Sequence, residues 1–132
     1  MLLETLSNYL AEVEKALQSL KNYHIEKYEE EILTSARANL RVRIRFSDGH
    51  LLELNEAVTI DSGKLEHLSY RYHFQDKNNS LIFRYDNTPH FNNLESFPHH
   101  KHLAKEVIAT EKPTIATIIE EVNKNLSTES LY

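Results

Sequence analysis

Apolar residues recur in two rhythms along this chain, and the change of rhythm marks its elements. Leu3, Leu6, Leu10, Val13, Leu17 and Leu20 stand three and four apart, with Glu and Lys between them. That is the apolar stripe of one helix face, and it predicts a helix over residues 1–21. A stripe of two positions in seven is also the spacing of a dimer seam. Two readings therefore stand: a helix packed on its own domain, or a homodimer paired through this helix. At under three heptads the seam would be marginal alone. Residues 22–33 fit a continued helix through Lys27 and Glu29-Glu30-Glu31. They also fit a strand through Tyr23, Ile25, Tyr28 and Ile32, and the strand is preferred.

From residue 40 the period becomes two. Leu40, Val42, Ile44 and Phe46 alternate with Arg41, Arg43 and Arg45, as in a strand with one buried face. Asp48-Gly49 supplies the positive φ of a tight turn, and Leu51 to Leu54 returns as the partner strand. Leu68, Tyr70, Tyr72 and Phe74 alternate with Ser69, Arg71, His73 and Gln75. Leu81, Phe83 and Tyr85 alternate with Ile82, Arg84 and Asp86 after a turn at Asp76–Asn79. Residues 87–106 show no period and carry Pro89 and Pro98. A loop of that length in a small domain is expected to be functional. Ile115, Ile118, Ile119 and Val122 then predict a closing helix over 114–125, and 126–132 reads as a frayed tail. The expected fold is a single α+β domain over 1–132. It has an antiparallel meander of about four to six strands within 22–86, with the N-terminal and C-terminal helices packed on one face.

Composition narrows the class. The chain is 132 residues long, 40% hydrophobic and 27% charged, which suits one soluble globular domain. It has no Cys, so thiolate chemistry and disulfides are excluded. No apolar run approaches a membrane span, and Met1-Leu2-Leu3-Glu4 does not read as a signal peptide. A cytoplasmic location is expected. The net charge of −5 is uneven. Residues 1–35 hold three Lys against seven Glu, whereas residues 36–105 hold ten Lys or Arg against eight Asp or Glu. Any nucleic-acid face must lie in that middle part.

Alternation places Arg41, Arg43, Arg45, Arg71, His73, Gln75, Arg84 and Asp86 on the sheet face away from the helices. Like charges on neighbouring strands repel unless something anionic lies between them. An RNA backbone or an acidic partner would serve; a plain solvated face with Glu53 and Glu66 as counter-ions is the alternative. Five of the eight His fall within thirty residues: His73, His90, His99, His100 and His102. Histidine is suited to proton transfer near neutral pH and to metal ligation.

Three readings of this cluster compete. In metal-independent RNA cleavage, His90 with His100 or His102 forms the acid–base pair, and Arg84 or Arg71 stabilises charge on phosphorus. On that reading Arg84, Asp86, Asn87, His90, His100 and His102 are the catalytic candidates, and no cofactor is needed. Arg43, Arg45, Arg71, His73, Gln75 and Lys101 bind substrate. Alternatively Asp86, His90, His100 and His102 hold a metal, although their spacing matches no derivable ligand pattern. Thirdly, the Asp and His residues simply satisfy the backbone of the long loop.

Three runs carry a resemblance. They are Tyr70-Arg71-Tyr72-His73-Phe74-Gln75, Arg84-Tyr85-Asp86-Asn87-Thr88-Pro89-His90 and Phe97-Pro98-His99-His100-Lys101-His102. With the block Arg43 to Glu56, they resemble the TumE family of toxins over roughly residues 22–122. The resemblance implies the toxin of a type II toxin–antitoxin pair, neutralised by a cognate antitoxin, and it favours the strand over 22–33. It leaves the chemistry open: a ribonuclease, or a non-catalytic module binding RNA or protein through the Arg face.

Overall fold

The computed structural model describes residues 2–130, and the side chains of residues 4–127. A helix α1 (Leu2–Leu17) is followed by five long strands: β1 (Tyr23–Thr34), β2 (Arg37–Phe46), β3 (Leu51–Asp61), β4 (Lys64–Gln75) and β5 (Leu81–Asp86). Two short strands, β6 (His100–His102) and β7 (Val107–Ala109), precede the closing helix α2 (Ile115–Ser130). The strands form one sheet in chain order, every neighbouring pair antiparallel. The α+β meander under two helices is the architecture expected, with seven strands in place of four to six.

The alternation in β2 sorts the side chains as expected. Leu40, Val42, Ile44 and Phe46 are buried, and the arginines between them face the other side. Leu6, Leu10, Val13, Leu17 and Leu20 of the N-terminal stripe are buried in the same domain, most of them in the cluster that holds Ile115, Ile118, Ile119 and Val122. A fully buried leucine contributes roughly 1.5–3 kcal/mol. The stripe therefore covers the sheet, which leaves these five side chains no apolar surface for a second chain. The Leu3 side chain lies outside those described.

Several boundaries differ from expectation, each for a local reason. The N-terminal helix stops at Leu17 rather than residue 21, and Asn22 takes a positive φ of 56° before β1. The return strand runs on to Asp61 instead of ending at Leu54. A carboxylate, Glu56, occupies a core-side position there and hides the alternation. Ser62 and Gly63, both at positive φ, close the β3–β4 hairpin, as the two central residues of a hairpin turn require. Gly49 at φ 99° makes the earlier hairpin, where an added Cβ would meet Lys77 at 2.8 Å.

Leu68 is a core position by alternation, yet it is 49% exposed. The β3–β4 register slips between Ala57 and Val58, so Leu68 is the extra residue of a bulge and His67 turns inward. The stretch 87–106 is not loop throughout, because His100–His102 pairs with β5. Leu126 to Ser130 continues α2 rather than fraying, so that helix covers 115–130 instead of 114–125. Residues 131 and 132 of the expected tail lie outside the described residues.

Candidate functional site

The face away from the helices is open, and the twisted sheet forms a trough across it of about 870 Å³. Lys27, Arg41, Arg43 and Arg71 line it beside Asn39, Asn55 and the carboxylate of Glu53. Not all the arginines are free. Arg43 binds Glu26 at 2.8 Å and Glu53 at 3.4 Å, and Arg45 binds Glu26 at 3.2 Å and the Gly49 carbonyl. Glu26 is thus a counter-ion that alternation alone did not suggest; its carboxyl is held below the ordinary range by its bond to Arg43 and by Arg45. Of the two expected counter-ions, Glu53 pairs with Arg43 and Glu66 pairs with none of them among the described residues. Arg41 and Arg71 have no ion-pair partner among the described residues, and both are exposed.

One end of the trough runs into a corner built by strand register. Arg71 on β4 faces Asp86 on β5, and Asp86 faces His100 on β6. Two residues along, His73 faces Arg84 and Arg84 faces His102. Antiparallel pairing therefore brings together residues that lie up to about thirty positions apart. Asn87 and Thr88, next after Asp86, line the trough itself.

Within the corner, His100 Nε2 lies 2.8 Å from Asp86 Oδ1, and His102 Nε2 lies 3.5 Å from Asp86 Oδ2. His100 Nδ1 donates to the Pro98 carbonyl at 2.9 Å, because a carbonyl can only accept. Asp86 Oδ1 accepts from the Thr88 N–H at 3.0 Å. Phe91 packs edge-on against both rings, at 4.8 Å from His100 and 5.7 Å from His102 between centroids. Asp86 and His100 are buried, whereas His102 keeps 25% of its side chain exposed toward the open face. Burial holds the His102 ring below the ordinary histidine range, with His100 and Arg84 adding to it against the pull of Asp86.

Arg84 is aimed by a relay. Its Nε donates to His73 Nδ1 at 3.2 Å, so His73 carries its proton on Nε2 and donates that to Gln75 Oε1 at 2.8 Å. Gln75 Nε2 donates in turn to Asn79. Burial, together with Arg84 and Arg71, keeps His73 below its usual range despite Gln75. This suits a neutral ring that orients a guanidinium.

Three expected residues, and His99 of the histidine cluster, stand outside the corner. Lys101 points to the helix side, where its Nζ binds Glu121 of α2 at 2.7 Å and sits 4.8 Å from the Tyr85 ring centroid. The period of two in β6 requires this, since His100 and His102 face the open side. Asn87 uses its side chain on the backbone of β4, accepting from Tyr70 N–H and donating to the Leu68 carbonyl beside the bulge. His90 is exposed and meets the edge of Phe91. His99 stacks on Tyr70 and shares a hydrogen bond of 2.8 Å with its hydroxyl.

A second polar cluster, missed in the sequence, lies on the helix side. Glu56 is 4% exposed, yet it accepts hydrogen bonds from Tyr9 of α1 and from Tyr72, and lies 2.8 Å from His67 Nε2. Burial alone would raise its carboxyl, but His67, Tyr72 and Tyr9 outweigh that and hold it below the ordinary range. The signal available was a lone carboxylate in phase with Leu54, Val58 and Ile60.

Among the described residues no helix is long and apolar enough to cross a membrane. A family model described as toxin TumE matches residues 13–129, from within α1 to near the end of α2. No curated protein and no solved structure matches the chain.

Proposed function

The chain belongs to the TumE toxin family, and on that premise we propose that it arrests growth by acting on RNA in the cytoplasm, under the control of a cognate antitoxin. One observation supports this above the others: a cationic trough on the open sheet face ends at the corner of Asp86, His100, His102 and Arg84. A single-stranded RNA backbone fits a groove of that sign. Arg41 and Arg71 have no internal counter-ion among the described residues and offer themselves to phosphates, which bind chiefly through such charge. Arg43 and Arg45, already paired to Glu26, would exchange that carboxylate for a phosphate.

The proposed reacting end is the corner. Arg84, held by His73 and Gln75, would stabilise charge developing on a phosphorus. The acid–base pair of His90 with His100 or His102 is harder to sustain in this fold. His100 is buried with Nδ1 committed to Pro98, and His90 stands outside Phe91. His102 combines exposure with a depressed proton affinity, so it is the imidazole best able to meet a substrate unprotonated.

The test has two stages. Induced expression should arrest growth, and Arg84→Ala or His102→Ala should relieve the arrest at unchanged protein level. Purified protein should then cleave single-stranded RNA. Binding without cleavage would instead make the Arg face a non-catalytic RNA-binding module, and toxicity that survives both substitutions would remove the corner from the mechanism.

A further inference from the structure

We propose that Asp86, His100 and His102 form a binding site for one divalent transition-metal ion of borderline softness, such as Zn²⁺. The site deepens the RNA reading of the same corner and rests on it only for what the ion would do there; with the ion bound, His102 serves as a ligand in place of the free imidazole that meets the substrate.

His100 is the decisive group. Its Nδ1 proton is committed to the Pro98 carbonyl, so in the neutral ring Nε2 carries a bare lone pair. That atom is buried and has no hydrogen-bond partner among the described residues. Yet it lies 2.8 Å from a carboxylate oxygen. Two acceptors at that distance repel unless something positive lies between or beside them. His102 Nε2 approaches the other oxygen of the same carboxylate at 3.5 Å.

The three ligand atoms all lie within 4.8 Å of one another. A zinc ion about 2.1 Å from each would want its ligands roughly 3.4 Å apart in a tetrahedral arrangement. The distances of 2.8 and 3.5 Å to Asp86 and the 4.8 Å limit bracket that value. The surroundings also match a metal site. A ligating imidazole donates its other N–H to a carbonyl, and a ligating carboxylate is itself hydrogen-bonded. His100 does the first through Pro98, and Asp86 does the second through the Thr88 N–H.

Two imidazoles and one carboxylate suit a borderline ion better than Mg²⁺ or Ca²⁺, which take oxygen ligands. Three protein ligands leave a position open, and the exposed edge of His102 sets that position on the open face. A phosphate oxygen or a water would occupy it.

The experiment uses the full chain, stripped with a chelator and titrated with Zn²⁺ and then with Co²⁺, whose visible absorption reports imidazole coordination. One ion per chain is expected. Asp86→Asn and His102→Gln should each lower affinity by at least about a hundredfold, since removing even an outer partner costs roughly 10–100-fold. His102→Gln changes a partly exposed residue, and circular dichroism shows whether it folds. Failure of the folded wild-type chain to take up either ion overturns the site, as does uptake unchanged by both substitutions. A chain that binds one Zn²⁺ but leaves RNA intact upholds the site and removes the RNA reading. One that cleaves RNA after full chelation, without uptake, does the reverse.

Discussion

Two buried carboxylates sit on opposite faces of this sheet, each beside histidine, and the fold treats them differently. Glu56 faces the helices, where Tyr9 and Tyr72 donate to it and His67 closes the set. Burial and the nearby charge of Glu56 push both tyrosine hydroxyls up, so they remain donors. Asp86 faces the open side, where Thr88 N–H donates to it but His100 Nε2 makes no hydrogen bond among the described residues. His67 Nδ1 lacks a partner much as His100 Nε2 does; the distinction lies at the carboxylates. One is saturated by donors under a helix, and the other stands 2.8 Å from an imidazole nitrogen with no hydrogen-bond partner among the described residues, beside a cationic trough. A buried carboxylate saturated by donors is a structural device. A buried polar atom left without a partner beside a groove is where a ligand belongs.

The largest expected effect bears directly on that difference. Asp86→Asn keeps an acceptor for Thr88 and should change stability by less than about 1 kcal/mol, yet reduce RNA cleavage by a factor of about 10² or more. Unfolding of this variant would make Asp86 structural like Glu56. Next, Glu56→Ala strands buried Tyr72 and part-buried Tyr9 and His67, and should lower unfolding free energy in urea by about 3 kcal/mol. RNA affinity below its melting temperature should be unchanged, and an affinity loss would mean the two faces are coupled.

Replacing Arg41 and Arg71 together with Glu probes the trough on its own. Affinity for single-stranded RNA should fall by about tenfold or more. The slope of log affinity against log salt should shrink by roughly 0.7 for each phosphate no longer neutralised. The smallest effect is the acid limb of stability. The folded carboxyl of Glu56 titrates below its unfolded value, so its contribution is complete above the ordinary glutamate pKa of about 4.3 and is lost as pH falls through the folded value. The stability gap between wild type and Glu56→Gln should be constant near neutrality and narrow below about pH 4.

Which way most side chains point was legible in the sequence alone. Period two in β2 and β5 and the three-four spacing in α1 are local consequences of backbone geometry, so the Arg face and the leucine stripe could be read directly. The Glu56 cluster could not, because a buried carboxylate reads as an interruption until its partners, up to 47 positions away in sequence, are in view. Neighbours across the sheet belong to the tertiary structure. Only the β3–β4 bulge expels Leu68, and only the pairing of β6 with β5 sets His100 against Asp86 and His102 against Arg84 while turning Lys101 away. Alternation fixes a residue's face, but its neighbours depend on register. Register is set by long-range pairing and bulges that no local period encodes.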